Sequence, residues 1–365
     1  MGEILTDPAT GGDLFENPMG TDGFEFVEYA HPEPEKLRQL FENMGFAEVA
    51  RHKSKNVTLH RQGDINFIIN AEPGSFAQKF AAEHGPCACA MAFRVKDADK
   101  ALNRAKEFGV SVPENPVGPG ELSIPVIEGI GGSRLYLVDT YGENTIYDTD
   151  FDFHTDAIAK HNGHGLTYID HLTHNVFRGN MNKWAGFYQG LFNFREIRYF
   201  DIEGKLTGLV SRAMTSPCGR IRIPINESQD DKSQIEEFLS KYKGEGIQHI
   251  ALGTDDIYQS VAEMRDDGIV FQSTPETYFG RIDERLPGHG EDVDHLKRLN
   301  ILIDGAPTEG QGILLQIFTQ EVIGPIFFEI IQRKGNEGFG EGNFQALFES
   351  LEEDQIRRGV LKDKE

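Results

Sequence analysis

One pattern is written twice in this chain, 159 residues apart, and that repeat constrains the fold more than any other feature. Ala90-Met91-Ala92-Phe93-Arg94-Val95-Lys96-Asp97 matches His249-Ile250-Ala251-Leu252-Gly253-Thr254-Asp255-Asp256. Each is a short strand ending on an acid suited to cap a helix. The helices follow as Ala98 to Phe108 and Ile257 to Asp267, and each stops before a glycine, Gly109 or Gly268, in the C-cap position. A second pair, Gly132 to Val138 and Gly324 to Ile330, aligns at an offset of 192. A third opens the halves. Strand Phe24 to Ala30 with a helix to Met44-Gly45-Phe46 matches strand Ile169 to Phe177 with a helix to Phe192-Asn193-Phe194. Each half thus holds two strand–helix–strand units.

A repeat this long indicates duplicated domains, not a solenoid of short units, and 365 residues favour two domains. The polar, His-rich stretch from Asp150 to Gly165 reads as the join, giving domains of residues 1–153 and 154–365. The first 20 or so residues read as an arm. After the glycine-rich run Gly335 to Gly342, a helix from Asn343 to about Arg358 has Phe344, Leu347, Phe348, Leu351 and Ile356 spaced for one buried face. It has no counterpart in the first half, and reads as a terminal helix packed on the body or as a lid hinged at the glycines.

Duplicated halves share packing needs, so positions that differ sharply between them are candidates for function. His249 aligns with Ala90, Glu329 with Leu137, and His171 falls near Phe24 or Glu25. Two histidines and a carboxylate form the facial triad of non-haem Fe(II) oxygenases, though zinc hydrolases use the same residue types and manganese is open. Glu329 is the strongest of the three. It lies inside Ile326-Phe327-Phe328-Glu329-Ile330-Ile331, and a carboxylate buried among apolar neighbours needs a cation or strong hydrogen bonds. His174, three residues after His171, faces the other side of a strand and reads as a core histidine. Gln316 and Phe318 share one strand face, as do Pro224 and Asn226; Ser211 and Gln248 are similar polar intrusions, each either a core hydrogen bond or a substrate contact.

The chain's net charge of −23 divides as −12 up to Phe153 (13 basic, 25 acidic) and −11 beyond it (23 basic, 34 acidic), so it forms no acidic tail. A surface this acidic repels phosphate backbones and anionic membranes, so neither nucleic acid nor a membrane is expected as a partner. Three cysteines make no disulfide framework, and Cys87 and Cys89 read as core residues on one strand face. No run of 18 apolar residues and no secretory leader is evident, so a cytoplasmic location is expected. The 26 phenylalanines suggest cores or pockets lined with rings.

Four segments together are similar to the 4-hydroxyphenylpyruvate dioxygenases of bacterial type. They are Asp170-His171-Leu172-Thr173-His174-Asn175-Val176, Gly246-Ile247-Gln248-His249-Ile250-Ala251, Phe327-Phe328-Glu329-Ile330-Ile331-Gln332-Arg333 and Gly338-Phe339-Gly340-Glu341-Gly342-Asn343-Phe344. The resemblance runs from the Glu16-Asn17-Pro18 region to Arg357-Arg358-Gly359-Val360. It implies an α+β fold of two vicinal-oxygen-chelate domains, each of paired βαβββ units in an open, curved half-barrel sheet, plus a C-terminal helix. It implies His171, His249 and Glu329 as Fe(II) ligands, and pocket roles for Ser211, Pro224, Asn226, Gln234, Gln248, Gln316, Phe318, Phe339 and Phe344. Of these, Gln316 and Phe344 join the ligands in the catalytic set. The implied reaction turns 4-hydroxyphenylpyruvate and O2 into homogentisate and CO2, in tyrosine and phenylalanine catabolism, by a homodimer or homotetramer. 4-Hydroxymandelate synthase, with the same substrate and triad, is the nearest alternative, and a non-catalytic binding protein of the same fold a more distant one.

Overall fold

A computed structural model describes residues 12–155, 163–203, 208–231, 233–344 and 346–347. The first half runs β1 (Thr21–Ala30), α1 (Pro34–Asn43), β2 (Ala47–His52), β3 (Val57–Gln62), β4 (Ile65–Asn70), α2 (Phe76–His84), β5 (Cys87–Val95), α3 (Ala98–Glu107), β6 (Val126–Glu128), β7 (Arg134–Val138), α4 (Ile146–Asp150) and β8 (Phe151–Phe153). The second runs β9 (Leu166–Val176), α5 (Met181–Phe192), β10 (Arg195–Glu203), β11 (Gly208–Thr215), β12 (Arg222–Ser228), α6 (Gln234–Tyr242), β13 (Gly246–Thr254) and α7 (Ile257–Asp266). Three short helices follow, α8 (Glu276–Phe279), α9 (Ile282–Arg285) and α10 (Val293–Leu299), then β14 (Leu302–Gly305), β15 (Ile313–Phe318) and β16 (Phe327–Lys334).

The repeat holds to the residue: β5 and β13, and α3 and α7, begin and end 159 residues apart. The caps explain this fidelity. Asp97 and Asp256 accept the backbone N–H of Lys100 and Gln259, and Gly109 and Gly268 take positive φ just past the helices. Each half curls into an eight-stranded sheet, β6-β7-β5-β1-β4-β3-β2-β8 and β10-β11-β12-β9-β13-β16-β15-β14. The second sheet is two full βαβββ units. In the first, the second unit has only β6 and β7 after β5 and α3, and β8 pairs with β2 at the far edge. Pro113, Pro116 and Pro125 occupy the stretch before β6, and proline cannot donate to a ladder, so no strand like β14 forms there.

Helices and sheets share one continuous apolar core that crosses the halves, with Phe67 packed 5.8 Å from Phe328. Cys87 and Cys89 lie in it, free and fully buried. Burial also pushes His174, on this core side of β9, down to about 4, so it is a neutral core histidine. Strand pairing corrects the alignment of the halves. Ala92 pairs with Phe26 and Tyr136, whereas Ala251, 159 residues later, pairs with His171 and Glu329. The first-half equivalents of the triad are therefore Phe26, Ala90 and Tyr136. Glu329 matches Tyr136 and not Leu137, and His171 matches Phe26 and not Phe24 or Glu25. Offsets counted along sequence miss these single-residue slips, because each reverses the face a side chain takes. Phe26 and Tyr136, 5.6 Å apart, close an apolar cluster where the second half has its polar cluster. Among the described residues no helix is long and apolar enough to cross a membrane.

Candidate metal centre

His171, His249 and Glu329 come from adjacent strands β9, β13 and β16 and share the sheet face turned away from the helices. His171 and Glu329 flank Ala251 in one row, and His249 sits two residues back on the middle strand. Their ligand atoms all lie within 4.8 Å of one another. Nε2 of His171 is 3.2 Å, and Nε2 of His249 3.4 Å, from the same Glu329 Oε2. Adjacent donors on one face of an octahedral ion with bonds of about 2.1 Å lie about 3 Å apart, so the spacing fits a cation. Glu329 Oε1, fully buried, has no hydrogen-bond partner among the described residues. An orphaned carboxylate oxygen in an apolar strand is what a metal would satisfy. Burial works to raise the Glu329 carboxyl, but the two imidazoles outweigh it and hold it below its ordinary value. For His171 burial works downward and is outweighed by the Glu329 and Asp170 carboxylates, while for His249 burial wins and lowers it.

Each imidazole is aimed by the residue before it. In a regular strand, neighbours point to opposite faces. Here the β9–β13 ladder carries an extra residue at Asp170 and another at Gln248, since His171 and Ile169 pair with consecutive Ala251 and Leu252, and His249 and Ile247 with consecutive Thr173 and His174. These bulges let each side chain meet its neighbour. Asp170 Oδ1 accepts His171 Nδ1–H at 2.8 Å, and Gln248 Oε1 accepts His249 Nδ1–H at 3.0 Å, which leaves both Nε2 lone pairs for a cation. Gln248 thus contacts a histidine of the triad. Asp170 is buried without solvent contact. It accepts Arg333 Nε and Nη2 at 2.7 and 2.8 Å and Arg222 Nη1 at 3.4 Å. Burial pushes its carboxyl up, but Arg333, Arg222 and His171 together hold it well below the usual range.

Rings wall this space. Phe339 stands edge-on to His171 at 5.2 Å, Phe327 stacks on His249 at 5.0 Å, and Phe318 lies 6.3 Å from His249. Phe200 meets Phe339 at 6.5 Å. Ser211 and Asn226 are direct cross-strand partners, Pro224 shares their face, and Asn226 donates to Asn175 Oδ1. Gln316 is buried on the same face, with Oε1 accepting from Asn343 Nδ2 at 3.3 Å; Asn343 Oδ1 in turn accepts from Tyr278 Oη at 2.7 Å. Two expected residues are not brought in. Gln234 is exposed on the first turn of α6, because Ile235, Phe238, Leu239 and Tyr242 take the helix face that meets the core. Phe344 is 40% exposed, and the helix expected onward from Asn343 lies outside the described residues beyond 347. Sequence reasoning missed Asp170, Gln248's role toward His249, Asn175, Phe327, Arg222 and Arg333. Asp170 and Arg333 sit in the quoted motifs, but no spacing rule joins residues 163 positions apart.

Residues 15–152 match the family described as hydroxyphenylpyruvate dioxygenase, N-terminal, and residues 168–282 the glyoxalase/bleomycin resistance protein/dioxygenase superfamily. The chain is 64% identical to a 4-hydroxyphenylpyruvate dioxygenase of Pseudomonas aeruginosa over 94% of its own length and 97% of the relative's. It is 66% identical to hemolysin VllY of Vibrio vulnificus, over 95% and 98% of the two chains. A solved mutant of 4-hydroxymandelate synthase from Streptomyces coelicolor shares the fold at a TM-score of 0.79, covering 92% of this chain and all of its own, with 24% identity. With a triad set in a duplicated curled sheet and near-full-length relatives at this identity, the chain belongs to the 4-hydroxyphenylpyruvate dioxygenase family.

Proposed function

We propose that this chain holds Fe(II) on His171, His249 and Glu329 and converts 4-hydroxyphenylpyruvate and O2 to homogentisate and CO2. The observation that carries the reading is the buried Glu329 carboxylate, with one oxygen shared by two Nε2 atoms and the other unpartnered, inside a wall of rings. When bound, Fe(II) supplies O2 activation and a docking point for the 2-oxo acid. The protein's part is placement. Three residues of one sheet face would hold the ion, and Phe339, Phe318 and Phe327 stand beside them. The rings hold an aromatic substrate and exclude water. Ser211, Asn226, Gln248 and Gln316 supply polar contacts, with Pro224 beside them, and the family resemblance adds Phe344 and Gln234 to the substrate contacts. Residues 1–153 are the non-catalytic domain and 154–365 the catalytic one, in a cytoplasmic homodimer or homotetramer of tyrosine and phenylalanine catabolism.

Loading the protein with Fe(II) without air, then adding substrate and O2, is expected to give homogentisate and one CO2 per turnover. Hydroxymandelate as product would assign benzylic oxidation instead, and no O2 uptake a binding protein. A second expectation concerns Gly340, at φ +76, where an added Cβ would lie 1.7 Å from Gln316 Oε1. Gly340→Ala should displace Gln316 and raise KM for the oxo acid by roughly tenfold. An unchanged KM would remove Gln316 from the substrate site.

A further inference from the structure

The Asp170 carboxylate and the Arg333 guanidinium do more than neutralise each other. Arg333 also donates from Nη1 to the carbonyls of Asn336 at 3.0 Å and Gly338 at 2.7 Å. Its guanidinium carbon lies 5.8 Å from the Phe339 ring centroid, and that ring packs on His171. The chain of contacts is therefore closed: Phe339 to His171, His171 to Asp170, Asp170 to Arg333, and Arg333 back to the turn that carries Phe339. A planar fork with five donors satisfies all of these partners at once, which an ammonium cannot do.

The first half provides an internal control. Its β1–β5 ladder has bulges at the equivalent places, with Glu25 as the extra residue before Phe26 and Cys89 as the extra residue 159 before Gln248. Glu25 is buried and pairs with Arg94 at 2.6 Å. A bulged acid with an arginine partner is thus part of the shared architecture. In the first half, however, the following residue is a phenylalanine, and Arg94 spends its other nitrogens on the exposed Asp64. Only the second-half pair reaches both a histidine of the triad and the backbone of a pocket loop.

We propose that Arg333 is a positioning residue that locks His171 and Phe339 into one unit, so that the metal ligand and the aromatic wall keep a fixed relation. The proposal rests on the metal reading of the triad. The test titrates the metal-free full-length protein with Co(II), following the visible ligand-field spectrum. Wild type should bind with 1:1 stoichiometry, and Glu329→Ala should lose most of that affinity; if those two fail, the metal reading fails first. Arg333→Met should then weaken Co(II) binding by about 10- to 100-fold, change the ligand-field bands and raise KM more than it lowers kcat. Arg94→Met should lower thermal stability but leave Co(II) affinity and spectrum as in wild type. Arg333→Lys, which keeps the charge and the fold, should stay closer to Arg333→Met than to wild type in spectrum and KM. Wild-type Co(II) affinity, bands and KM in Arg333→Lys, or equal losses in Arg94→Met, would overturn the proposal and leave Arg333 a structural ion-pair partner.

Discussion

Glu329→Ala is expected to abolish turnover, lowering kcat by more than about a thousandfold, or roughly 4 kcal/mol of barrier, and to release iron during gel filtration. Glu329→Gln should lose turnover equally, yet cost the metal-free protein little stability. The reason is local. Glu329 lies among Phe328, Ile330 and Ile331, is 1% exposed, and has an oxygen with no partner. Without a cation the two imidazoles outweigh burial and keep the carboxylate ionised, so it adds some stability, but its second oxygen stays unpartnered and the net gain over a neutral amide of the same shape is small. Thermal melts of both proteins after metal removal, beside turnover assays, check the pair of expectations. A large loss of metal-free stability in Glu329→Gln, with activity retained, would make Glu329 a structural residue.

Asp170→Ala is expected to cost the metal-free fold far more. Its carboxylate is the shared counter-charge of Arg333 and Arg222, whose side chains are 8% and 16% exposed. Removing one member of such a buried set leaves uncompensated charge and costs about 3–5 kcal/mol. Urea unfolding of the metal-free protein measures this, and a change below about 1 kcal/mol would show that water or rearrangement replaces the carboxylate. Two buried carboxylates, on the strands that flank β13, thus carry different weights. Asp170 stabilises the folded chain through its arginines, whereas Glu329, with one oxygen unpartnered, contributes little until a cation arrives.

The strand–helix units, the caps at Asp97 and Asp256, and the glycine stops at Gly109 and Gly268 were legible because each depends on a few consecutive residues. The candidate ligands were legible because Glu329 breaks an apolar run and His249 stands where the first half has Ala90. The aromatic wall was half legible: Phe318 and Phe339 came through the resemblance, whereas Phe327 became visible only when it stacked on His249.

By itself the sequence determined a duplicated α+β chain and three residues fit to hold a cation. Tertiary structure decided which residues stand opposite one another. Phe26 and Tyr136, not their neighbours, occupy the first-half positions of His171 and Glu329. Asp170 and Gln248 face the same way as the histidines they precede, and Arg333 reaches Asp170 from the far side of β13. The physical reason is common to all of these. A helix cap is set by bonds within one segment, but a bulge and a register exist only between two strands, and one extra residue in a ladder turns a side chain from one face of the sheet to the other.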